Sequence, residues 1–146
     1  MLKLIKEKRI LFVYIPLVLY WIVLFIATSL STESLPKPFV FSDKVAHLLA
    51  YLVLSFFVCL AIWAQEKFQL VSRRYFFFTL FIVLLYGIFD EIHQSFIPGR
   101  SCEFLDWVAD AVGAIIGTLL AMFLIVRIKQ KINAGTLLEQ KENTKC

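Results

Sequence analysis

Three blocks of polar residues stand at the ends of stretches that are otherwise apolar. The blocks begin at Asp43, Asp90 and Asp106, and together they hold five carboxylates, two histidines and an arginine. A charged side chain inside hydrocarbon costs roughly 2.5–3.5 kcal/mol on insertion scales, so each such group is a functional-site candidate by default. These residue types can transfer a proton, bind a polar ligand or coordinate a divalent ion.

The composition indicates an integral membrane protein. Apolar residues make up 60% of the chain and its mean hydropathy is +0.80, outside the usual range of a soluble domain. The apolar runs predict an all-α, polytopic fold with four transmembrane helices at about 10–30, 43–64, 75–95 and 103–126. At ~1.5 Å per residue, the first run covers about 30 Å, the thickness of the hydrocarbon core. We expect one four-helix domain over 1–126 and a polar cytoplasmic tail over 127–146.

The distribution of Lys and Arg predicts the orientation, because these residues are held on the cytoplasmic face. Twelve of them lie before the first helix, between the second and third, or after the fourth, and three lie in the other two connections. Both termini are therefore predicted to be cytoplasmic, in a multi-pass protein of the cell membrane. The net charge of +4 then reflects topology and contact with anionic membrane lipid rather than a nucleic-acid partner. A cleaved signal peptide is the alternative for the first run, which is longer than a signal core of ~7–15 residues.

Helical spacing places each polar block on one face, because residues three and four apart are neighbours. The three stripes are Asp43, His47 and Tyr51; Asp90, His93 and Gln94; and Asp106, Asp110, Gly113 and Gly117. In the predicted orientation all three lie in the outer third of the membrane, where polar side chains must face protein or water. We therefore expect one pocket that opens outward and also includes Glu91 and Arg100.

Several of these residues also have a structural interpretation. Asp43 and Asp106 suit the positive N-terminus of a helix, with Ser42 as a cap for the former, while His47 can serve an interhelical hydrogen bond. Pro98-Gly99 is typical of a turn, and the paired glycines of the last stripe are typical of close helix packing. Packing alone does not explain five carboxylates in one layer. Some must be protonated, paired with Arg100 or a protonated histidine, or bound to a cation.

The polar motifs also resemble those of a known family. Asp-Lys-x-x-His-x-x-x-Tyr from Asp43, Asp-Glu-x-His-Gln-x-Phe-x-Pro-Gly-Arg from Asp90, and Leu-Asp-x-x-Ala-Asp-x-x-Gly from Leu105 are similar to the VanZ-like family of small bacterial membrane proteins. The similarity covers about 41–121 and the leading helix. It implies a four-helix protein of the bacterial envelope, in a family whose named members lower susceptibility to the lipoglycopeptide teicoplanin. Many members lie outside resistance clusters, so the resemblance is stronger evidence for the fold than for resistance.

Two classes of function remain open. In the first, the pocket binds an envelope lipid, a cell-wall intermediate or a lipoglycopeptide, with Arg100 on an anionic group and the carboxylates and Gln94 on hydroxyl or amine groups. In the second, the protein is a membrane-embedded hydrolase or transferase acting on such a substrate. Its catalytic candidates are His47, His93, Asp90 and Glu91, with a histidine as general base oriented by Asp43 or Asp90.

The sequence assigns no metal ligands, although a divalent cation held by the carboxylates is compatible with the enzyme. The three cysteines have no ligand spacing, and there is no G-x-S-x-G, HExxH or glycine-rich phosphate loop. Substrate, oligomeric state and resistance itself are not determined by these patterns.

Overall fold

The structure, a computed structural model, describes Lys8 and residues 10–31, 42–65 and 67–143. Part of the orientation argument rests on basic residues outside this set. Cys146 also lies outside the described residues. The side chain of Ser42, the predicted cap, also lies outside the described residues.

Four long helices account for most of the described chain. The first begins with a π-helical turn, Ile10–Tyr14, and continues as the α-helix Ile15–Ser29, while the second is Ser42–Ala64. The third is Tyr75–Gln94, preceded by the short helix Gln69–Arg73, and the fourth is Phe104–Asn143. All four are long and apolar enough to cross a membrane, which confirms the all-α fold with four spanning helices. A helix suits this setting because it satisfies its backbone hydrogen bonds internally.

The fourth helix is longer than the sequence predicted. Its membrane-compatible part is Phe104–Lys131, and the helix then continues to Asn143, within the segment predicted as a polar tail. The apolar run ends at Val126, but the residues after it include good helix formers such as Lys, Gln, Leu and Glu and no proline. The helix therefore continues beyond the residue at which the apolar run ends.

Among the described helices, the second and fourth pack most extensively against each other. A Cβ atom at Gly113 would clash with the carbonyl oxygen of Leu48, and one at Gly117 would clash with that of Leu52. The predicted role of this glycine pair in close helix packing is thereby confirmed. The polar stripe of the fourth helix consequently faces the second helix directly.

The first helix covers the other three more loosely. Only 11% of an 18-residue apolar stretch of this helix is buried inside the protein, against 44% of the corresponding stretch of the second helix. The Tyr20 hydroxyl donates a hydrogen bond to the Ala50 carbonyl over 2.9 Å, and the Trp21 ring packs edge-on against Tyr86. The remaining apolar surface of this helix is left for lipid.

A tight turn between the third and fourth helices brings Arg100 back over the bundle. Gly99 has a φ of 80°, the left-handed region that glycine adopts without steric cost. The Arg100 amide donates to the Ile97 carbonyl over 3.1 Å, which closes the turn predicted at Pro98-Gly99.

Candidate functional site

Polar residues from the second, third and fourth helices meet in one buried layer. Each of the following is at most 6% exposed: His47, Tyr51, Asp90, Glu91, Gln94, Asp106 and Asp110. Helical spacing puts them on inward faces, and the glycine contact brings two of the helices close enough for their side chains to touch. The structure thus brings together most of the residues that the sequence singled out; their function stays a prediction.

His47 lies between two carboxylates. Its Nδ1 atom is 2.9 Å from Asp110 Oδ1 on the fourth helix and 3.7 Å from Glu91 Oε1 on the third. Glu91 is held from its other oxygen, because Oε2 accepts a hydrogen bond from the Glu103 amide over 3.1 Å. The imidazole is therefore oriented by Asp110 of the fourth helix, and Glu91 of the third helix faces it.

Lys44 compensates the negative charge of Asp106, which lies in the first turn of the fourth helix. Its Nζ atom lies 2.8 Å from Asp106 Oδ1 and 2.8 Å from Glu103 Oε2. The Asp106 side chain is 3% exposed, while those of Lys44 and Glu103 are 22% and 46% exposed. These two ion pairs extend from the protein surface into the buried layer.

A second chain of hydrogen bonds links Asp90 to Arg100. Asp90 Oδ2 accepts from the Tyr51 hydroxyl over 3.3 Å and from Gln94 Nε2 over 3.1 Å. Arg100 Nη1 in turn donates to Gln94 Oε1 over 3.1 Å. The other two nitrogens of Arg100 donate to the Ala27 and Leu30 carbonyls at the end of the first helix. Arg100 thereby joins three elements, and its charge lies at a helix C-terminus, where cations are favoured.

Beside these residues lies a cavity of about 150 Å³ between the first three helices. Its polar lining consists of Thr28, Asp43, His47, Tyr51, Asp90 and Arg100. Leu24 and Ala27 close it from the first helix, and Ala46 and Ala50 close it from the second. The cavity combines an acidic side with one guanidinium.

Several pairings differ from those expected. His47 contacts Asp110 and Glu91 rather than Asp43, which is exposed at the cavity lining. His93 is half-buried and stacks on Phe25 with ring centroids 5.1 Å apart, while Asp90 bonds to Tyr51 and Gln94. Arg100 contacts no carboxylate among the described residues.

Sequence reasoning also missed contributors to this region. Glu103 was not singled out, although it lies three residues before Asp106 and therefore on the same side of the chain as the helix begins. The residues of the first helix that line the cavity are apolar or small, and nothing in their types distinguishes them from ordinary packing.

Several buried polar atoms have no hydrogen-bond partner among the described residues. They are Tyr86 Oη, Asp90 Oδ1, Glu91 Oε1, His93 Nδ1 and Asp110 Oδ2. Three are carboxylate oxygens, which accept hydrogen bonds or coordinate cations. Two groups of three residues could each hold a metal ion, because the ligand atoms within each group lie within 4.8 Å of one another. One group is Asp43, His47 and Asp106, and the other is His47, Glu91 and Asp110. The arrangement can thus bind donors or hold a metal ion, and it orients an imidazole for proton transfer.

Comparison with known proteins gives one finding. A family model described as VanZ/LLP1 matches residues 7–126, which include all four helices up to Val126 and every residue of the site. A search of curated proteins and a search of solved structures gave no significant match.

Proposed function

Because the chain belongs to the VanZ/LLP1 family, we propose that this multi-pass membrane protein binds the head group of an envelope lipid and so modulates the envelope surface. The observation that carries the proposal is the cavity between the first three helices, with Asp43 and Asp90 in its lining together with Arg100. A head group reaches such a site while its acyl chains stay in the surrounding lipid.

The size of the cavity favours a small ligand group. Pockets for drug-sized molecules measure roughly 300–1,000 Å³, and this cavity is about 150 Å³. A phosphate with a short amino alcohol is of suitable size, whereas a lipoglycopeptide or a cell-wall intermediate would have to bind through one small polar end. An envelope lipid is therefore the favoured ligand.

The charges favour a head group that carries both signs. Asp90 Oδ1 is a buried acceptor without a described partner, and the exposed Asp43 carboxylate lies in the same lining. Three N–H groups of Arg100 donate to Gln94, Ala27 and Leu30, which leaves two for a ligand. An amine on the carboxylates and a phosphate on Arg100 would satisfy both sides. The proposed ligand class is therefore a zwitterionic aminophospholipid.

Native mass spectrometry of the purified protein, with phosphatidylethanolamine, phosphatidylglycerol and phosphatidylcholine as probes, tests this function. We expect the parent to retain phosphatidylethanolamine preferentially, and both Asp90→Asn and Arg100→Lys to lose the preference. Arg127→Lys is the matched control, since Arg127 lies over the Phe123 ring, far along the fourth helix from the cavity. Equal retention of the three lipids by the parent would contradict the proposal.

Susceptibility of cells producing equal amounts of these variants tests the connection with teicoplanin. If the lipid-bound protein limits access of the antibiotic to the envelope, Asp90→Asn and Arg100→Lys should raise teicoplanin susceptibility, while Arg127→Lys should match the parent. Vancomycin, which has no lipid tail, is the comparison antibiotic. Unchanged teicoplanin susceptibility in cells lacking the protein would remove resistance from the proposal and leave lipid binding untouched.

One observation favours an enzyme as the second candidate. The His47 ring lines the cavity and is oriented by Asp110 across 2.9 Å, as a general base requires. An enzyme predicts that His47→Gln abolishes product formation from a lipid probe while lipid retention persists. Absence of product from all three lipid probes with the parent protein would count against catalysis.

A further inference from the structure

The cluster of His47, Glu91 and Asp110 has the ligand set of a metal site. The geometry points to one bound divalent transition-metal ion, Zn²⁺ or Mn²⁺, held by His47 Nδ1 and one carboxylate oxygen each from Glu91 and Asp110. This inference goes beyond lipid binding, because the three ligands come from three helices and do not depend on the molecule that the cavity takes.

The distances within the cluster suit a shared ion. Ligands about 2.0–2.2 Å from a tetrahedral zinc lie about 3.4 Å from one another. The two contacts of His47 Nδ1, 2.9 Å to Asp110 Oδ1 and 3.7 Å to Glu91 Oε1, lie on either side of that value. The ligand atoms of all three residues lie within 4.8 Å of one another. Small side-chain rotations therefore suffice to surround an ion.

Glu91 supplies the independent sign of a ligand. Its side chain is 5% exposed, and its Oε1 atom has no hydrogen-bond partner among the described residues although it faces His47. At 3.7 Å this oxygen is too far from Nδ1 for a hydrogen bond. The other oxygen of Glu91 accepts a hydrogen bond from the Glu103 amide. Metal-binding side chains are commonly held in place by such hydrogen bonds from neighbouring groups. Glu91 is thus held with one acceptor aimed into the cluster.

The charges in the buried layer lead to the same site. Asp106 is paired with Lys44, and Asp90 is linked through Gln94 to Arg100. Among the described residues, Glu91 and Asp110 have only His47 as a cationic partner. Two carboxylates, a neutral imidazole and a divalent ion sum to zero, whereas a protonated imidazole in place of the ion leaves one net negative charge unless one carboxylate is also protonated. Burying uncompensated charge is costly, so a divalent ion stabilises the cluster with both carboxylates ionised.

The mixture of nitrogen and oxygen donors favours a divalent transition-metal ion. Imidazole nitrogen suits zinc and other transition metals, and carboxylate oxygen suits manganese as well as magnesium and calcium. Three protein ligands leave a position open, as in catalytic zinc sites. His47 also lines the cavity, which gives the ion a path of entry.

Metal content and affinity of the full-length protein in detergent test the site. After loading with Zn²⁺ or Mn²⁺ and dialysis, plasma mass spectrometry should find one ion per parent chain. Glu91→Gln and Asp110→Asn should each weaken calorimetrically measured binding by at least about tenfold, the smallest loss usual even for outer-sphere partners. The ion should raise the parent's Tm, a chelator should reverse the rise, and neither variant should show it.

Two further variants locate the ion. Asp90→Asn is the matched control, since Asp90 is a buried carboxylate beside Glu91 but outside the cluster, and it should keep the parent's metal affinity. Asp106→Asn tests the other group, Asp43 with His47 and Asp106. Loss of binding in Asp106→Asn with parent-like binding in Glu91→Gln overturns the site, and so does a parent protein without stoichiometric ion. Circular dichroism of each variant checks that the helices are intact.

Discussion

At the scale of single residues, the buried carboxylates differ in how their charge is balanced. Asp106 has a lysine within 2.8 Å, Asp90 has two neutral donors, and Glu91 and Asp110 share one histidine. Removing one partner of a buried ion pair costs more than replacing both partners, because the remaining charge is left uncompensated. The Lys44 pair allows this difference to be measured.

Lys44→Met should destabilise the protein by about 3 kcal/mol, the lower end for a broken buried pair because the Lys44 side chain is 22% exposed. Adding Asp106→Asn should recover most of that loss, since the buried carboxylate is then neutral and Glu103, the other carboxylate that Lys44 contacts, is 46% exposed. The measurement is the free energy of unfolding in detergent for the four members of the double-mutant cycle. Additive losses in the double variant would contradict a direct pairing.

The types and faces of these residues follow from the sequence, but their pairing does not. Asp43 and His47 lie four apart, which makes them neighbours on one helix. In the structure Asp43 is exposed near the helix start, and His47 instead reaches the fourth helix, brought close by Gly113 and Gly117. The rotation of one helix against another sets such contacts, and the periodicity of a single helix does not contain it.

At the scale of elements, the contact between the second and fourth helices positions the site. Hydropathy alone predicted the four helices and most of their ends, because each needs about 20 apolar residues to cross the bilayer. It could not give the loose packing of the first helix or the continuation of the fourth to Asn143, since neither changes the apolar pattern. Two features of these elements can be tested, the glycine contact and the attachment of the first helix.

Gly117→Ala should destabilise the protein by about 1–3 kcal/mol, because the added methyl group meets the Leu52 carbonyl and forces the helices apart. Gly135→Ala is the matched control on the same helix, where nothing lies within 4 Å of the new Cβ atom. That change should be neutral or stabilise by at most about 1 kcal/mol, the difference in helix propensity. Unfolding in detergent measures both, and equal effects would argue against the close contact.

Arg100 fastens the end of the first helix to the turn after the third. Arg100→Gln removes the donors to the Ala27 and Leu30 carbonyls and should cost about 2 kcal/mol, within the range for hydrogen bonds to a charged group. The first helix should then separate more readily near its C-terminal end. Hydrogen exchange at residues 27–31 should accelerate in this variant and stay unchanged in Arg127→Gln. Unchanged exchange in Arg100→Gln would show that other contacts hold the helix.

At the scale of the whole molecule, the direction in which the cavity opens depends on how the chain crosses the membrane. The buried polar layer lies near the end of the bundle that contains the Arg100 turn, so the side of that turn is also the side of the cavity. The twelve-to-three distribution of basic residues predicts the outside for this end. The exposed Cys102 lies in the same connection and reports on it directly.

A membrane-impermeant thiol reagent added to intact bacterial cells should label Cys102 and spare Cys146, which is predicted to be cytoplasmic. Cys59 is buried and should stay unlabelled in either orientation. Cys102→Ser should abolish the signal in intact cells, whereas Cys146→Ser should preserve it, and lysed cells should show labelling of both single variants. If Cys102→Ser cells are labelled before lysis and Cys146→Ser cells are not, the orientation is reversed. The cavity would then open to the cytoplasm, where it could reach inner-leaflet lipid but no antibiotic arriving from outside.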